Sequence, residues 1–523
     1  MNWQRLVGEL WPQVRQKHLW PELPMPRVAA LSRPVALEMR DKRLTLNLST
    51  CEALARWLPP RTVVEALLDH GISHYTRCPW DLATHLHLYA VAKAELGCPS
   101  LARAATDAFI DVVANTYCVK DYQTPLPQVC RYFQDDPLQR TLVALYGRIW
   151  GVDMQAEADE ALVRRLARLP YLDRRQWPQS LRRFAQLLRP LLEASGRLAP
   201  PPLGQHGLGN YSREEVEKAL ATFAQQAPDI EAFRNTVADF ADELLALGYG
   251  GGEGEGRRVD ADALYYMALA QNYRLPVCSL PATGSGTLDP YSHAPWEASK
   301  PVQDLDVWTS FGKLLPGLSQ LWVRRQGTVF GQRQRTPDCL IVLDSSGSMP
   351  NPRQQLSYAV LGAACAADAY LRRGARVAVY NFSDARLAGK TVLAFTADRT
   401  AIFRCLCVYH GGGTALALRD LEALRRTAPQ GTPDLVLITD MQITNLEEVL
   451  AYLAGVEGRI TVVHLGDNAA TERLRHATAT HPRLRLFAVT AGADIPAIIL
   501  GQVRHDFALA LGRRASAAAG LGL

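Results

Sequence analysis

The residues with the clearest capacity for chemistry lie in CLIVLDSSGSMPNP, Cys339 to Pro352. Five apolar residues run into Asp344, and hydroxyls follow at Ser346 and Ser348. In an extended turn that alternation aims a carboxylate and two hydroxyls to one side. Two other stretches offer atoms of the same kind. Asp440 ends the apolar run DLVLITD, and HGGGTAL places Thr414 behind three glycines that permit close backbone approach. The set is two carboxylates and three hydroxyls, hard oxygen donors with no imidazole or thiolate among them. It suits Mg²⁺, which prefers octahedral oxygen ligation, keeps several waters and takes one or two protein carboxylates. A lone D-x-S-x-S arises by chance and its aspartate can simply cap a turn, but three coordinated segments are not explained that way. An aspartyl-nucleophile phosphatase would want aspartate at 346, where serine stands, and a G-x-S-x-G elbow on Ser346 would need glycine at 344.

A second group is His70 and His74 in EALLDHGISHYTRCPWD, at i and i+4 on one face of an expected helix. This is the spacing of H-E-x-x-H zinc peptidases, whose intervening glutamate activates water. Position 71 is glycine, so the general base is missing from its usual place. Asp111 is the candidate third ligand, with Asp107 one turn earlier as a rival and Cys78, His85 and His87 as nearer alternatives. A bound zinc, a satisfied pair of structural histidines and a peptidase are the three readings.

The elements that must position these residues change character along the chain. Residues 34 to 50 alternate well enough for two short strands around a polar turn, and the rest of the N-terminal third carries apolar residues at helical spacing. LAPPPLGQHGLGN (198–210) is a Pro/Gly connector, after which Ser212 and Glu215 form a capping-box start for REEVEKALATFAQQ. YGGGEGEGRR (249–258) has the composition of a flexible linker, and His293 to Gly327 is aromatic and irregular, a docking segment by expectation. From Asp338 onward, CLIVLD, RVAVYNF, KTVLAFT, DLVLITD, RITVVHLG and RLRLFAVT alternate with helical stretches, as buried strands of an α/β sheet do. RVAVYNF and KTVLAFT are close enough for a hairpin with an antiparallel edge strand. In such sheets ligands sit beyond the carboxyl ends of strands, where Asp344 and Asp440 fall.

With those elements around them, Asp344-x-Ser346-x-Ser348, Thr414 and Asp440 resemble, in order, the metal-ion-dependent adhesion site (MIDAS) of von Willebrand factor A (VWA) domains. The departure is Met441, where many such domains have glycine. The resemblance implies Mg²⁺ or Mn²⁺ held by Ser346, Ser348 and often Thr414, with Asp344 and Asp440 direct or through water. It also implies an open coordination position filled by an acidic side chain of a protein partner. The region around His70 and His74 is similar to metallopeptidase-like domains that precede VWA domains in some prokaryotic proteins. This arrangement resembles the partners of MoxR-type AAA+ ATPases, which implies an adaptor linking an ATPase to a protein target. No G-x-x-x-x-G-K-[ST] loop is present to supply ATP hydrolysis, since ATGSGTLDP lacks the lysine. The alternative function is a zinc hydrolase regulated by the VWA domain.

Over 523 residues more than one core is expected. The expected division is 1–125 (helical, metallopeptidase-like, with a β-hairpin), 126–248 (helical connector), 249–335 (linker and docking), 336–515 (VWA, doubly wound and mostly parallel) and 516–523 (tail). A formal net charge of +5 is too small to argue for nucleic acid. Arginines from Arg164 and Arg165 through Arg174, Arg175, Arg182 and Arg183 to Arg189 are interleaved with Leu, Ala, Phe and Trp at helical spacing. They read as the solvated side of amphipathic helices, with an acidic partner surface as the minor alternative. Ten cysteines show no C-x-x-C pair, the N-terminus carries Glu9 where a signal peptide would be apolar, and no window approaches about 20 apolar residues. A reduced, cytoplasmic protein is expected.

Overall fold

The computed structural model describes residues 1–31, 34–38, 41–194, 211–251, 258–272, 280–300, 302–384, 389–466, 473 and 484–489. Within them the chain separates into two compact units, the first drawn from 1–273, 350–364 and 403–409, the second from the remainder.

The N-terminal region is mainly helical. It opens with α1 (Trp3–Lys17) and a small sheet of β1 (Arg27–Ala29), β2 (Val35–Glu38) and β3 (Arg43–Asn47). β2 and β3 form the expected antiparallel pair, and β1 lies parallel to β3 in the order β1-β3-β2. β1 has three residues, too few for alternation to show in sequence. Then follow α2 (Leu48–Leu54), α3 (Pro60–Thr76), α4 (Leu82–Leu96), α5 (Pro99–Asp121), α6 (Leu126–Cys130), α7 (Pro137–Trp150), α8 (Glu160–Ala167) and α9 (Trp177–Ala194). α10 (Arg213–Gln226) starts with the expected capping box of Ser212 and Glu215. α11 (Ile230–Ala238), α12 (Ala241–Ala246), the two-residue strands β4 (Gly250–Gly251) and β5 (Arg258–Val259), and α13 (Ala261–Ala270) complete the region. The tip of the expected linker, 252–257, and the whole of the Pro/Gly connector, 198–210, lie outside the described residues.

α3 and α5 are the inner helices. Every residue from Ala66 to His74 and from Ala104 to Thr116 is buried. A helix enclosed all round is normally apolar, yet these two bury Asp69, His70, Ser73, His74, Asp107, Asp111 and Asn115. Buried polar groups need partners, so the core of this unit contains a built polar site. Gly71 lets α3 lie against the small sheet: a Cβ there would stand 2.5 Å from Leu44 Cδ2 and 3.2 Å from Val35 Cγ1.

Only the two ends of the segment expected to be irregular, 293–327, join a long antiparallel ribbon, β6 (Leu280–Pro295) paired with β8 (Gln320–Arg335); the described residues between them are mostly turns, with the two-residue β7 (Leu305–Asp306) alongside β8. SLPATGSGTLDP carries prolines and glycines that are depleted in strands, so composition pointed away from the pairing that forms.

The C-terminal part is α/β. β9 (Cys339–Asp344), β10 (Val377–Phe382), β11 (Lys390–Thr396), β12 (Asp434–Thr439), β13 (Ile460–Leu465) and β14 (Leu484–Val489) form a six-stranded sheet in the order β11-β10-β9-β12-β13-β14. All neighbours are parallel except β10 and β11, the expected antiparallel hairpin at the edge. The helices α14 (Tyr358–Arg372), α15 (Arg399–Leu406), α16 (Leu418–Arg425) and α17 (Leu446–Gly455) are interleaved with the strands. The last of the helical stretches expected from the sequence, IPAIILGQVRHDFALAL (495–511), lies outside the described residues. β9, β10 and β12 are buried at every position, which is why they read as unbroken apolar runs. No helix among the described residues is long and apolar enough to cross a membrane.

Candidate metal centres

The sheet order places a topological switch between β9 and β12, where chain connections leave in opposite directions. Asp344 is the last residue of β9, and Asp440 follows β12. Beyond β9 the side chains alternate. The Ser345 hydroxyl donates to the Phe382 carbonyl at 3.2 Å, away from its neighbours, while the Ser346 and Ser348 hydroxyls meet at 3.2 Å. Asp344 is fixed by two donors: the Ser346 N–H reaches Oδ1 at 2.9 Å and the Thr439 hydroxyl reaches Oδ2 at 2.6 Å. Thr439 in turn accepts the Met441 N–H at 3.0 Å, which connects the ends of β9 and β12.

The glycine loop closes this arrangement. Gly347 N–H donates to the Gly412 carbonyl and Gly411 N–H to the Ser345 carbonyl, both at 2.9 Å. A Cβ on Gly347 would come within 3.1 Å of the Gly412 oxygen, so glycine permits the approach. The Thr414 carbonyl accepts from both the N–H and the hydroxyl of Thr444 at 2.9 Å, which ties the loop to the chain after Asp440. Met441, the departure from the adhesion-site pattern, has φ +59, a left-handed conformation that favours glycine, and its side chain is buried.

Asp344, Ser346, Thr414 and Asp440 are buried, whereas Ser348 is exposed. Burial pushes the Asp344 carboxyl above the usual range; its hydrogen bonds with Thr439 and Ser346 pull it back, and the Asp440 charge pushes it up again. A divalent cation would relieve the burial cost and the repulsion between the two carboxylates. The donors are all oxygens, which fits Mg²⁺ or Mn²⁺.

In the N-terminal unit, α3 and α5 bring together His70, His74 and Asp111, whose ligand atoms lie within 4.8 Å of one another. Of the sequence candidates, Asp107, Cys78, His85 and His87 do not belong to that group. The His74 Nδ1–H donates to the Cys78 carbonyl at 2.8 Å, so Cys78 contributes its backbone to the site. Asn115 gives its Nδ2 to the Tyr146 hydroxyl at 3.1 Å and accepts from His70 Nδ1 at 2.8 Å. This network assigns the Nδ1 proton to both rings and leaves each Nε2 as the ligand atom. The two Nε2 atoms face each other at 3.2 Å, and Asp111 Oδ1 lies 3.2 Å from that of His74. Facing lone pairs repel unless a proton or a cation lies between them. Zinc bonds of about 2.0–2.1 Å in a tetrahedron set ligand atoms about 3.3 Å apart, close to both separations.

A second buried group was not legible in the sequence. His18, Asp69 and Cys118 also place their ligand atoms within 4.8 Å of one another. Each triad has the atoms to hold a metal ion, but the second already holds a cation. Lys17 Nζ donates to Asp69 Oδ2 at 2.6 Å, Thr124 donates to the same oxygen at 2.5 Å, and His18 Nε2 meets Oδ1 at 2.9 Å. Burial pushes the Cys118 thiol up to about 12, which disfavours the thiolate a metal needs. The His70 group is therefore the better-built of the two. Fifty-one residues separate His18 from Asp69, and no local spacing announces such a pair.

The chain matches no protein-family model and no curated protein.

Proposed function

We propose that the chain is a metal-dependent protein-interaction adaptor. In this reading Asp344, Ser346, Ser348, Thr414 and Asp440 hold Mg²⁺ or Mn²⁺, and an acidic side chain of a protein partner completes the coordination. The observation that carries it is the convergence of three separate segments at the β9–β12 switch: Asp344 is hydrogen-bonded by Thr439, and the glycine loop is hydrogen-bonded to the turn after β9. The metal supplies an electrostatic anchor for a carboxylate, and the chain supplies its placement. The exposed Ser348 marks the side from which a partner arrives. The resemblance to VWA partners of MoxR-type AAA+ ATPases extends the reading: such an ATPase acts in trans on a protein target held by this adaptor.

The histidine centre fits zinc, held by His70, His74 and Asp111, as a centre that fixes α3 to α5. A hydrolase reading is less supported, because position 71 faces Leu44 and Val35 and carries no general base.

The test is a pull-down with wild-type protein and Asp344→Ala in Mg²⁺ and nucleotide. The adaptor reading expects a protein partner, including an AAA+ ATPase, retained by wild type alone and released by chelator. Identical partners on both proteins would reject the metal shelf as the recognition surface.

A further inference from the structure

The arginines between positions 164 and 189 are sorted by their surroundings. Arg164 pairs with Glu160 at 2.6 Å, Arg174 lies over the Trp80 ring 3.5 Å from its centroid, and Arg189 donates to the Glu95 carbonyl. Arg165, Arg168 and Arg183 have no ion pair or hydrogen bond among the described residues. Those three line one cavity of about 510 Å³, formed by α8, α9 and the turn joining them. The turn between the two helices is tied down beside it: the Tyr171 hydroxyl donates to the Leu166 carbonyl at 2.9 Å, and Trp177 Nε1 donates to the Tyr171 carbonyl at 2.8 Å. Also in the wall is Ser180, 2 % exposed, whose hydroxyl has no partner among the described residues.

We infer that this cleft binds an acidic peptide segment of a partner protein. Three arginines lining one cleft with no ion pair among the described residues call for oxyanions, and arginine matches carboxylate geometry with paired donors. The remaining lining separates a peptide from a bare phosphate. Gln179 and Gln186 each offer a donor and an acceptor, as a peptide backbone requires, whereas phosphate would use donors alone. Leu169 and Leu187 supply apolar wall for side chains between the acidic ones. On α9, Gln179, Arg183 and Gln186 recur at helical spacing and form one stripe. The inference goes beyond the metal shelf and shares no residue with it, so either can fail alone.

The experiment uses the full chain and a fluorescein-labelled hexapeptide, Glu-Leu-Glu-Glu-Leu-Glu, followed by fluorescence anisotropy in chelator. Binding is expected to weaken about tenfold with Arg168→Gln and again with Arg183→Gln, and to fall with added salt. The Arg175→Gln control, outside the cleft, leaves it unchanged. A peptide with glutamine for glutamate is expected not to bind. Three results would each overturn the inference: no binding by wild type, equal binding by the triple Arg165→Gln, Arg168→Gln, Arg183→Gln variant, or displacement by inorganic phosphate at concentrations equal to the peptide. Because all three arginines are exposed, the variants are expected to melt as wild type does.

Discussion

Asp344 is a carboxylate placed where burial disfavours its charge, and that sets its behaviour without metal. Its carboxyl is pushed up, so the ionised form is less favourable in the folded chain than in water. Asp344→Asn removes that charge and keeps the shape. Metal-free Asp344→Asn is expected to melt no lower than metal-free wild type, while Mg²⁺ raises the melting temperature of wild type only. At a hundredfold excess over the dissociation constant that stabilisation is about 2.7 kcal/mol. A Mg²⁺-induced rise in the variant would exclude Asp344 from the site. Gly71 makes a second prediction at this scale. Gly71→Glu inserts a charged side chain against Leu44 and Val35, so it is expected to destabilise the fold by about 1–3 kcal/mol or more in denaturant melts without creating peptide cleavage. A stable variant that cleaves a denatured substrate would contradict the packing account. Both residues were legible as types, since the D-x-S-x-S spacing and the glycine between the histidines stand in the sequence. The backbone conformation at Met441 was not, because a φ of +59 at a methionine follows from the closure of the loop around it and not from its own preference.

Elements hold these residues through contacts distant in sequence. α3 and α5 form the histidine centre because Asn115 and the Cys78 carbonyl orient the two rings. His74→Ala is expected to abolish zinc retained after dialysis, measured by elemental analysis. Asn115→Leu is expected to weaken zinc about 10- to 100-fold in chelator competition; unchanged affinity would mean the ring orientation is set elsewhere. α16 and α17 are joined by Glu422, which accepts from Arg425, Arg426 and Tyr452. The Arg425 hydrogen bond is the largest of the influences that hold its carboxyl at about 2, against an ordinary 4.5. A lowered carboxyl contributes stability above the ordinary value that is lost as pH falls from 4.5 through about 2. Glu422→Gln is expected to flatten that acid-side loss in thermal melts over this range, and an unchanged slope would assign it to other groups. The buried strands β9, β10 and β12 were readable as apolar runs, and the β10–β11 hairpin from its short connection. The β6–β8 ribbon was not, because its prolines and glycines masked a pairing set across the ribbon and not by local propensity. The His18–Asp69–Lys17 network joins α1 to α3 and has no local signature either.

At the scale of the molecule, the two metal centres proposed fall in separate units: oxygen donors at the end of a sheet, and imidazoles with a carboxylate inside a helical core. The α/β class and the helical N-terminal region could be read from periodicity, whereas the choice of Asp111 over Asp107 depended on which residue α5 turns toward the histidines. The separation predicts independent losses. His74→Ala should leave Mg²⁺-dependent partner capture intact, and Asp344→Ala should leave zinc content unchanged; reciprocal loss would show that the centres are coupled. The central claim is that the switch between β9 and β12 is a cation shelf. Its most direct measurement is calorimetric titration of the chelator-treated full chain with Mg²⁺, for wild type and Asp344→Ala. The account predicts one saturable site per chain in wild type and none in the variant. Absence of binding in wild type, or the same isotherm in both, would contradict it.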